Sequence, residues 1–139
     1  MPSRRAFLTL LPLLLAPRLA RALPQARSGA AGRMGPQHPE PRSGITASNV
    51  LPDSALHSPE AIAVFGMARQ IPQVLDGIRC SCGCAGSKGY YSLLTCFEEV
   101  GMAQHCTICQ GQARLAFKLH KDGWSLNGIR RSIDAAYAD

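Results

Sequence analysis

Six cysteines within thirty residues are the feature that most constrains the fold of this 139-residue chain. The last 82 or so residues are the part able to fold, and a core of that size supplies only about 3–5 kcal/mol of net stability, so covalent or metal staples are expected. None of the cysteines lies before residue 80, so they are predicted to act together. They are Cys80, Cys82, Cys84, Cys96, Cys106 and Cys109.

The spacing of the cysteines suits a metal site. In the Cys-x-Cys-x-Cys run of residues 80–84, alternate side chains of an extended or turning segment point the same way, and small Ser81 and Gly83 let the backbone wrap a centre. Cys106 and Cys109 are one helical turn apart, so their sulfurs share a face. A helix N-terminus beside them favours the thiolate, the form that binds metal.

A thiolate-rich site of this kind prefers Cu(I), Zn(II) or an iron–sulfur cluster. We favour Cu(I), because six sulfurs exceed the four of a mononuclear zinc site, and the spacings differ from those of common ferredoxins. His105 precedes Cys106 and adds a candidate imidazole, although a surface or capping role fits it equally well. The predicted metal ligands are Cys80, Cys82, Cys84, Cys96, Cys106, Cys109 and His105.

Two other interpretations stay open. The even count and small domain also fit three disulfides in a structural or interaction module, although the bridges would crowd at one point and so constrain the chain little. Cys106 and Cys109 have the spacing of a thiol–disulfide redox pair, without the strand–helix context of thioredoxin-like proteins. No motif of a known catalytic class occurs, so we do not expect an enzyme.

The first 22 residues have the layout of a secretory signal. Residues 1–5 are basic, residues 6–17 are apolar, and Ala20-Arg21-Ala22 is a small-x-small cleavage site. The apolar run is too short to cross a hydrocarbon core of about 30 Å, so no stable membrane span is predicted.

This signal resembles the twin-arginine (Tat) type. The residues that carry the resemblance are Ser3, Arg4, Arg5, Phe7 and Leu8. The resemblance implies export in the folded state by the Tat translocase, to the periplasm or another extracytoplasmic compartment. Many proteins exported in this way acquire a metal or cofactor before crossing.

Residues 23–57 are predicted to be a disordered linker, because they contain five prolines, four glycines and no aromatic residue. His38 and His57 are expected to be solvated there. The net charge of +6 is concentrated in the signal, which holds four arginines and no acid; the remaining 11 basic and 9 acidic residues leave +2. A domain so close to neutral is not expected to bind nucleic acid.

The remaining residues, 58–139, are predicted to form an all-α domain of about four short helices, since no stretch alternates with period two. Ser58 and Pro59 predict a helix start. The predicted helices cover residues 59–70, 93–100 and 105–121, and a last helix begins after Ser125. The apolar face of the third helix is predicted to hold Cys106, Cys109, Ala113, Ala116, Phe117 and His120. Tyr90 and Tyr91, beside the cysteine loop, are expected to shield the site.

Residues 71–137 resemble a family of small exported bacterial proteins named for a Pro-Cys-Tyr-Cys-Gly-Cys motif. Arg79 stands where that family has Pro, and Ser81 where it has Tyr. The resemblance implies a helical, cysteine-clustered domain of the cell envelope and no particular activity. Together with the ligand pattern, it leads us to expect a metal-binding protein for sequestration or delivery, with an envelope metalloprotein as a possible partner. The matching residues are Cys80, Cys82, Gly83, Cys84, the run 92–97, His105, Cys106, Cys109, the run 123–125, Ile129, Arg130, Ile133 and Asp134.

Overall fold

The computed structural model describes residues 37–85, 87, 89–99 and 101–137. The predicted signal, 1–22, and residues 23–36 of the predicted linker lie outside them. The described part contains helices and no strand, which confirms the all-α prediction, and none of its helices has the length and apolar character needed to cross a membrane. The α-helices are α1 (Pro59–Gln70), α2 (Pro72–Asp76), α3 (Thr107–Lys121) and α4 (Leu126–Tyr137), and short 3-10 helices cover Ala47–Asn49, Asp53–Ala55, Leu94–Phe97 and Met102–Gln104.

Helix α1 begins and ends where its sequence signals predict. The Ser58 hydroxyl accepts the N–H of Ala61 at 3.1 Å, and Pro59 occupies the first helical position. Pro72 ends α1, since a proline disfavours helical backbone in the residue before it. The same proline then starts α2, a single short helix in a region where only a turn was predicted.

Helix α3 starts at Thr107, two residues later than predicted. Cys106 is its N-cap, and the Cys106 sulfur accepts the N–H of Cys109 at 3.4 Å. The buried face is rotated from the predicted one, because Phe117 is only half-buried and His120 is exposed. Its buried residues are Cys109, Gln112, Ala113, Ala116 and Leu119.

Helix α4 packs closely against α3. A side chain at Gly111 would collide with the hydroxyl of Tyr137, so a glycine is needed where the two helices meet. Ile129 and Ile133 are fully buried on the apolar stripe of α4, as predicted. Trp124, which precedes this helix, is 49% exposed.

The helix predicted over 93–100 is only the 3-10 helix Leu94–Phe97. Leu94 and Phe97 are fully buried, and the Phe97 ring packs against Phe65 of α1 with 4.8 Å between ring centroids. Glu98 ends this helix, and Gly101, with φ of 57°, precedes the next 3-10 helix in a left-handed backbone conformation. The turn therefore places Cys96 in the core beside α1.

The structure differs from the predicted linker over residues 37–57, which pack against the helices. Ile45, Val50 and Leu56 are buried in the core, and the Leu51 N–H donates to the Phe97 carbonyl at 3.0 Å. The apolar residues here are sparse and have no helical period, so composition alone suggested disorder. They enter the core one at a time, from positions that flank the two 3-10 helices of this segment.

An ion pair fastens this segment to α2. Asp76 is fully buried, and its carboxylate accepts from the Arg42 guanidinium at 2.7 Å, the Arg42 N–H at 2.7 Å and the Ser92 hydroxyl at 2.7 Å. Burial alone would raise the pKa of Asp76, but the hydrogen bonds from Arg42 and Ser92 lower it below its ordinary value. The carboxylate is therefore ionised inside the domain and depends on Arg42.

Candidate metal centre

Four cysteine sulfurs from three segments of the chain meet at one place. The Sγ atoms of Cys80, Cys82, Cys96 and Cys109 all lie within 4.8 Å of one another. All but Cys82, which is half-buried, are buried. With metal–sulfur bonds of about 2.3 Å, a tetrahedral thiolate site separates its sulfurs by about 3.8 Å. The four thiols are thus close to the spacing that one metal ion requires.

The Cys-x-Cys-x-Cys segment forms a turn that gathers its own sulfurs. The Sγ atom of Cys82 lies 3.3 Å from that of Cys80 and 3.0 Å from that of Cys84. Gly83 has φ of 89°, a backbone conformation that residues with a side chain rarely adopt. The glycine therefore lets the chain reverse between Cys82 and Cys84 and brings their thiols into contact.

Cys84 extends the group to five sulfurs. Its Sγ atom lies 3.5 Å from that of Cys96, and the residue is 9% exposed. Cys84 does not belong to the four-sulfur group that is mutually close, and it reaches that group through Cys82 and Cys96. Five of the seven predicted ligands are therefore in one contiguous cluster.

The other two predicted ligands are placed differently. Cys106 is half-buried, and its sulfur caps α3 next to Cys109, at the rim of the cluster. His105 is exposed, and its backbone N–H donates to the Met102 carbonyl at 3.1 Å. The sulfurs come together as expected, and metal ligation by any of the seven stays a prediction.

One sulfur of the cluster ionises readily. Hydrogen bonds from the thiols of Cys109 and Cys96 lower the pKa of Cys80 to about 2, against the opposing effect of burial. Neighbouring thiols therefore take the place of solvent in stabilising the ionised form of Cys80.

The thiols around Cys80 hold their protons. Burial, the hydrogen bond with Cys82 and the charge of Cys80 raise the pKa of Cys84 to about 12. Hydrogen bonding to Cys80 and Cys96, with burial, raises the pKa of Cys109. The hydrogen bond from Cys109 lowers the pKa of Cys96. The hydrogen bond between Cys96 and Cys80 and the burial of Cys96 outweigh it and raise the pKa of Cys96 above its usual range. A cation that enters the cluster would therefore displace protons.

Gln112 holds the cysteine loop and was not among the predicted site residues. Its fully buried amide accepts the Ser81 N–H at 3.1 Å and donates to the Ser81 hydroxyl at 2.9 Å. The same NH₂ group donates to the Arg79 carbonyl at 3.4 Å. Gln112 is three residues beyond Cys109 on the same helix face, and a polar residue in phase with buried positions was the signal for it.

His38 is a second residue that supports the cysteine loop, and the prediction that it is solvated is wrong. Its Nδ1 accepts the Arg79 N–H at 3.0 Å, and its Nε2 lies 3.0 Å from a carboxylate oxygen of Asp134 on α4. The acceptor role of Nδ1 fixes the neutral tautomer with its proton on Nε2, directed at Asp134. The residue before Cys80 is thereby tied to both the N-terminal segment and the last helix.

Only one of the two tyrosines covers the cysteines. Tyr90 is half-buried, and burial together with the nearby thiols of Cys96 and Cys84 raises its pKa. Tyr91 is exposed, donates its hydroxyl to the Glu40 carbonyl at 2.7 Å, and lies under the Arg42 guanidinium. Tyr90 therefore lies beside the cluster, and Tyr91 fastens the N-terminal segment.

A family described as "Protein of unknown function with PCYCGC motif" matches residues 42–139. The match covers more than half of the chain and begins at Arg42, within the segment that packs against the helices. No curated protein and no solved structure is similar enough to the chain to give a match.

Proposed function

The chain belongs to the PCYCGC-motif family, and we propose that it is an exported metal-binding protein whose thiolate-rich site takes Cu(I) for sequestration or delivery. The observation that carries the proposal is the four sulfurs of Cys80, Cys82, Cys96 and Cys109 within 4.8 Å of one another. A protein of this kind binds and releases its cargo and catalyses no reaction.

The packing of the sulfurs favours a metal over a disulfide framework. The Sγ atom of Cys80 lies 3.3 Å from that of Cys82 and 3.5 Å from that of Cys109, so two sulfurs at similar distances could pair with it. A disulfide satisfies one sulfur with one partner, whereas a metal ion engages all of them. Bridges gathered at one point would also restrict the unfolded chain little more than a single bridge does.

The donor set favours Cu(I). The contiguous cluster holds sulfur donors, and soft thiolates select Cu(I), Zn(II) and iron–sulfur centres. A zinc site closes with four ligands and would leave Cys84 without a partner metal. Cu(I) accepts two or three thiolates, so clusters of Cu(I) accommodate additional sulfurs.

Export is supported by the sequence alone. The arginine pair with Phe7 and Leu8 fits a Tat signal, and passage in the folded state would let the cysteines bind metal in the reducing cytoplasm before crossing. The proposed partners are the Tat translocase during export and an envelope metalloprotein that receives the ion. Replacing both Arg4 and Arg5 by Lys should retain the protein in the cytoplasm, whereas Arg18→Lys should leave export unchanged; export that survives the double substitution would contradict a Tat route.

The decisive experiment joins two measurements on protein purified natively from the envelope fraction. Elemental mass spectrometry gives metal content, and alkylation counts accessible thiols before and after the metal is removed. Stoichiometric copper, with thiols that react only after its removal, is the expected result. Cys109→Ser should lower copper content, while exposed Thr107→Ala on the same helix should not. Protein with neither metal nor reactive thiols would be a disulfide-stapled module.

A redox role is the second candidate, because Cys106 caps α3 with its sulfur on the Cys109 N–H at 3.4 Å. A helix N-terminus stabilises a thiolate, and half-buried Cys106 could attack a substrate disulfide while buried Cys109 resolves the mixed disulfide. A disulfide-reductase assay tests this role. Activity abolished by Cys106→Ser would support it, and background activity in the unaltered protein would eliminate it.

A further inference from the structure

We propose that the cluster holds a second Cu(I) ion in a three-sulfur subsite formed by Cys82, Cys84 and Cys96, which shares Cys82 and Cys96 with the four-sulfur group. The inference rests on the proposed function and extends it from one ion to a binuclear thiolate cluster.

The three sulfurs form a closed triangle. The Sγ atom of Cys84 lies 3.0 Å from that of Cys82 and 3.5 Å from that of Cys96, and Cys82 and Cys96 are within 4.8 Å of each other. A trigonal ion with metal–sulfur bonds of about 2.3 Å separates its thiolates by about 4 Å. To reach that geometry, the Cys82–Cys84 edge has to lengthen by about 1 Å and the Cys84–Cys96 edge by about 0.5 Å.

The Cys84 thiol is buried in the core but belongs neither to the four-sulfur group nor to the hydrogen bonds that shape its turn. Its sulfur is outside the four-sulfur group, and the turn around it is shaped by the backbone, since the Cys84 carbonyl accepts the Ser87 N–H at 2.9 Å and Gly83 supplies the reversal. A buried thiol that neither completes the first site nor shapes the loop is available to a second ion.

Charge favours a monovalent ion in this subsite. Cys84 is buried with its sulfur against those of Cys82 and Cys96, so binding of an ion there replaces a thiol proton inside the protein. The entering Cu(I) forms a bond to the Cys84 sulfur, and the thiol proton leaves to water. One positive charge replaces another, so the net charge of the buried cluster is unchanged, and copper remains Cu(I) throughout.

The test is an anaerobic titration of the full chain with Cu(I) in competition with the chelator bicinchoninate, with stoichiometry read by native mass spectrometry. We expect two ions in the unaltered protein and one in Cys84→Ser. Ser87→Ala is the matched control, because it changes an exposed residue of the same loop and keeps the backbone N–H that donates to the Cys84 carbonyl, and it should retain two. Circular dichroism checks that both variants are folded.

The outcomes separate this inference from the proposed function. If the unaltered protein retains no Cu(I) against the chelator, the proposed function fails and the inference fails with it. One ion in both the unaltered protein and Cys84→Ser would overturn the inference alone, as would two ions in a folded Cys84→Ser. If that variant unfolds, alkylation of the unaltered protein, mapped by peptide mass, decides. Cys84 should keep its metal-free alkylation rate after one equivalent of Cu(I) and be protected after the second, and protection at the first equivalent would overturn the inference.

Discussion

The buried side-chain amide of Gln112 makes two hydrogen bonds to Ser81: its oxygen accepts the Ser81 backbone N–H at 3.1 Å, and its NH₂ group donates to the Ser81 hydroxyl at 2.9 Å. Ser81 lies between Cys80 and Cys82, so helix α3 supplies one sulfur of the cluster, through Cys109, and fixes the loop that carries three others. The loop and the helix are therefore positioned as one unit.

Gln112→Ala should loosen that unit. Leaving the half-buried Ser81 N–H without its acceptor should lower the free energy of unfolding by about 1 kcal/mol or more. Cu(I) affinity should fall as well, measured by competition with bicinchoninate. Gln70→Ala, at an exposed position of α1, is the control and should leave both quantities unchanged. Stability and affinity that match the unaltered protein would contradict the positioning role.

Replacing Arg42 should lower the free energy of unfolding more than replacing its partner Asp76. Arg42→Met leaves the buried Asp76 carboxylate without its counter-charge, and we expect a loss of about 3 kcal/mol in the free energy of unfolding. Asp76→Asn leaves a half-exposed guanidinium that can turn to solvent, and should cost about 1–2 kcal/mol. Urea denaturation measures both variants; equal losses would show that the buried charge is not what makes the pair necessary.

Acid should remove the stability that Asp76 contributes. The pKa of this carboxyl is below its ordinary value in the folded domain. A carboxyl whose pKa is lower in the folded than in the unfolded state stabilises the fold at pH values above the unfolded-state pKa of about 3.9. That stabilisation is lost as the pH falls toward the folded-state pKa. The stability difference between the unaltered protein and Asp76→Asn should therefore be largest at neutral pH and shrink below about pH 4. A stability difference that increases as the pH falls would contradict the lowered pKa of Asp76.

Metal loading should release protons. The raised pKa values of Cys84, Cys96 and Cys109 keep these thiols protonated at neutral pH, whereas Cys80 is already ionised. Calorimetric titrations with Cu(I) in buffers of different ionisation enthalpy should show several protons released, and affinity should weaken as pH falls. Heats that are independent of the buffer would mean that the sulfurs are bound without deprotonation.

The segment 37–57 should contribute to stability as a core element does. Ile45 is buried, so Ile45→Ala should lower the free energy of unfolding by about 2–5 kcal/mol. Ser54→Ala, at an exposed position of the same segment, should be neutral within about 0.5 kcal/mol. An Ile45→Ala variant as stable as its control would restore the interpretation of this segment as a linker.

Local signals predicted the helices, and long-range contacts decided the rest. The cap at Ser58, the proline at Pro59 and the apolar stripe of α4 act within a few residues, and they placed α1 and α4 correctly. The segment 37–57 has no such period, because its three buried side chains find their places on helices that lie further along the chain. The composition of the segment could not show which helices these side chains pack against, because those helices lie elsewhere in the sequence.

The same distinction applies to the site. Clustering in the sequence was enough to predict that the cysteine sulfurs meet, but the division into a four-sulfur group, the adjoining Cys84 and the capping Cys106 needed the turn at Gly83 and the position of α3. His38 and Gln112 were missed because their hydrogen-bond partners at Arg79 and Ser81 are more than thirty residues away.

The contact between His38 and Asp134 joins residues that are 96 positions apart. During synthesis His38 emerges long before α4 exists, and all six cysteines leave the ribosome while this clasp is still open. The last support of the cysteine loop therefore forms only after translation of α4 is complete. A nascent chain, or one cut short before α4, would present the sulfurs without this contact.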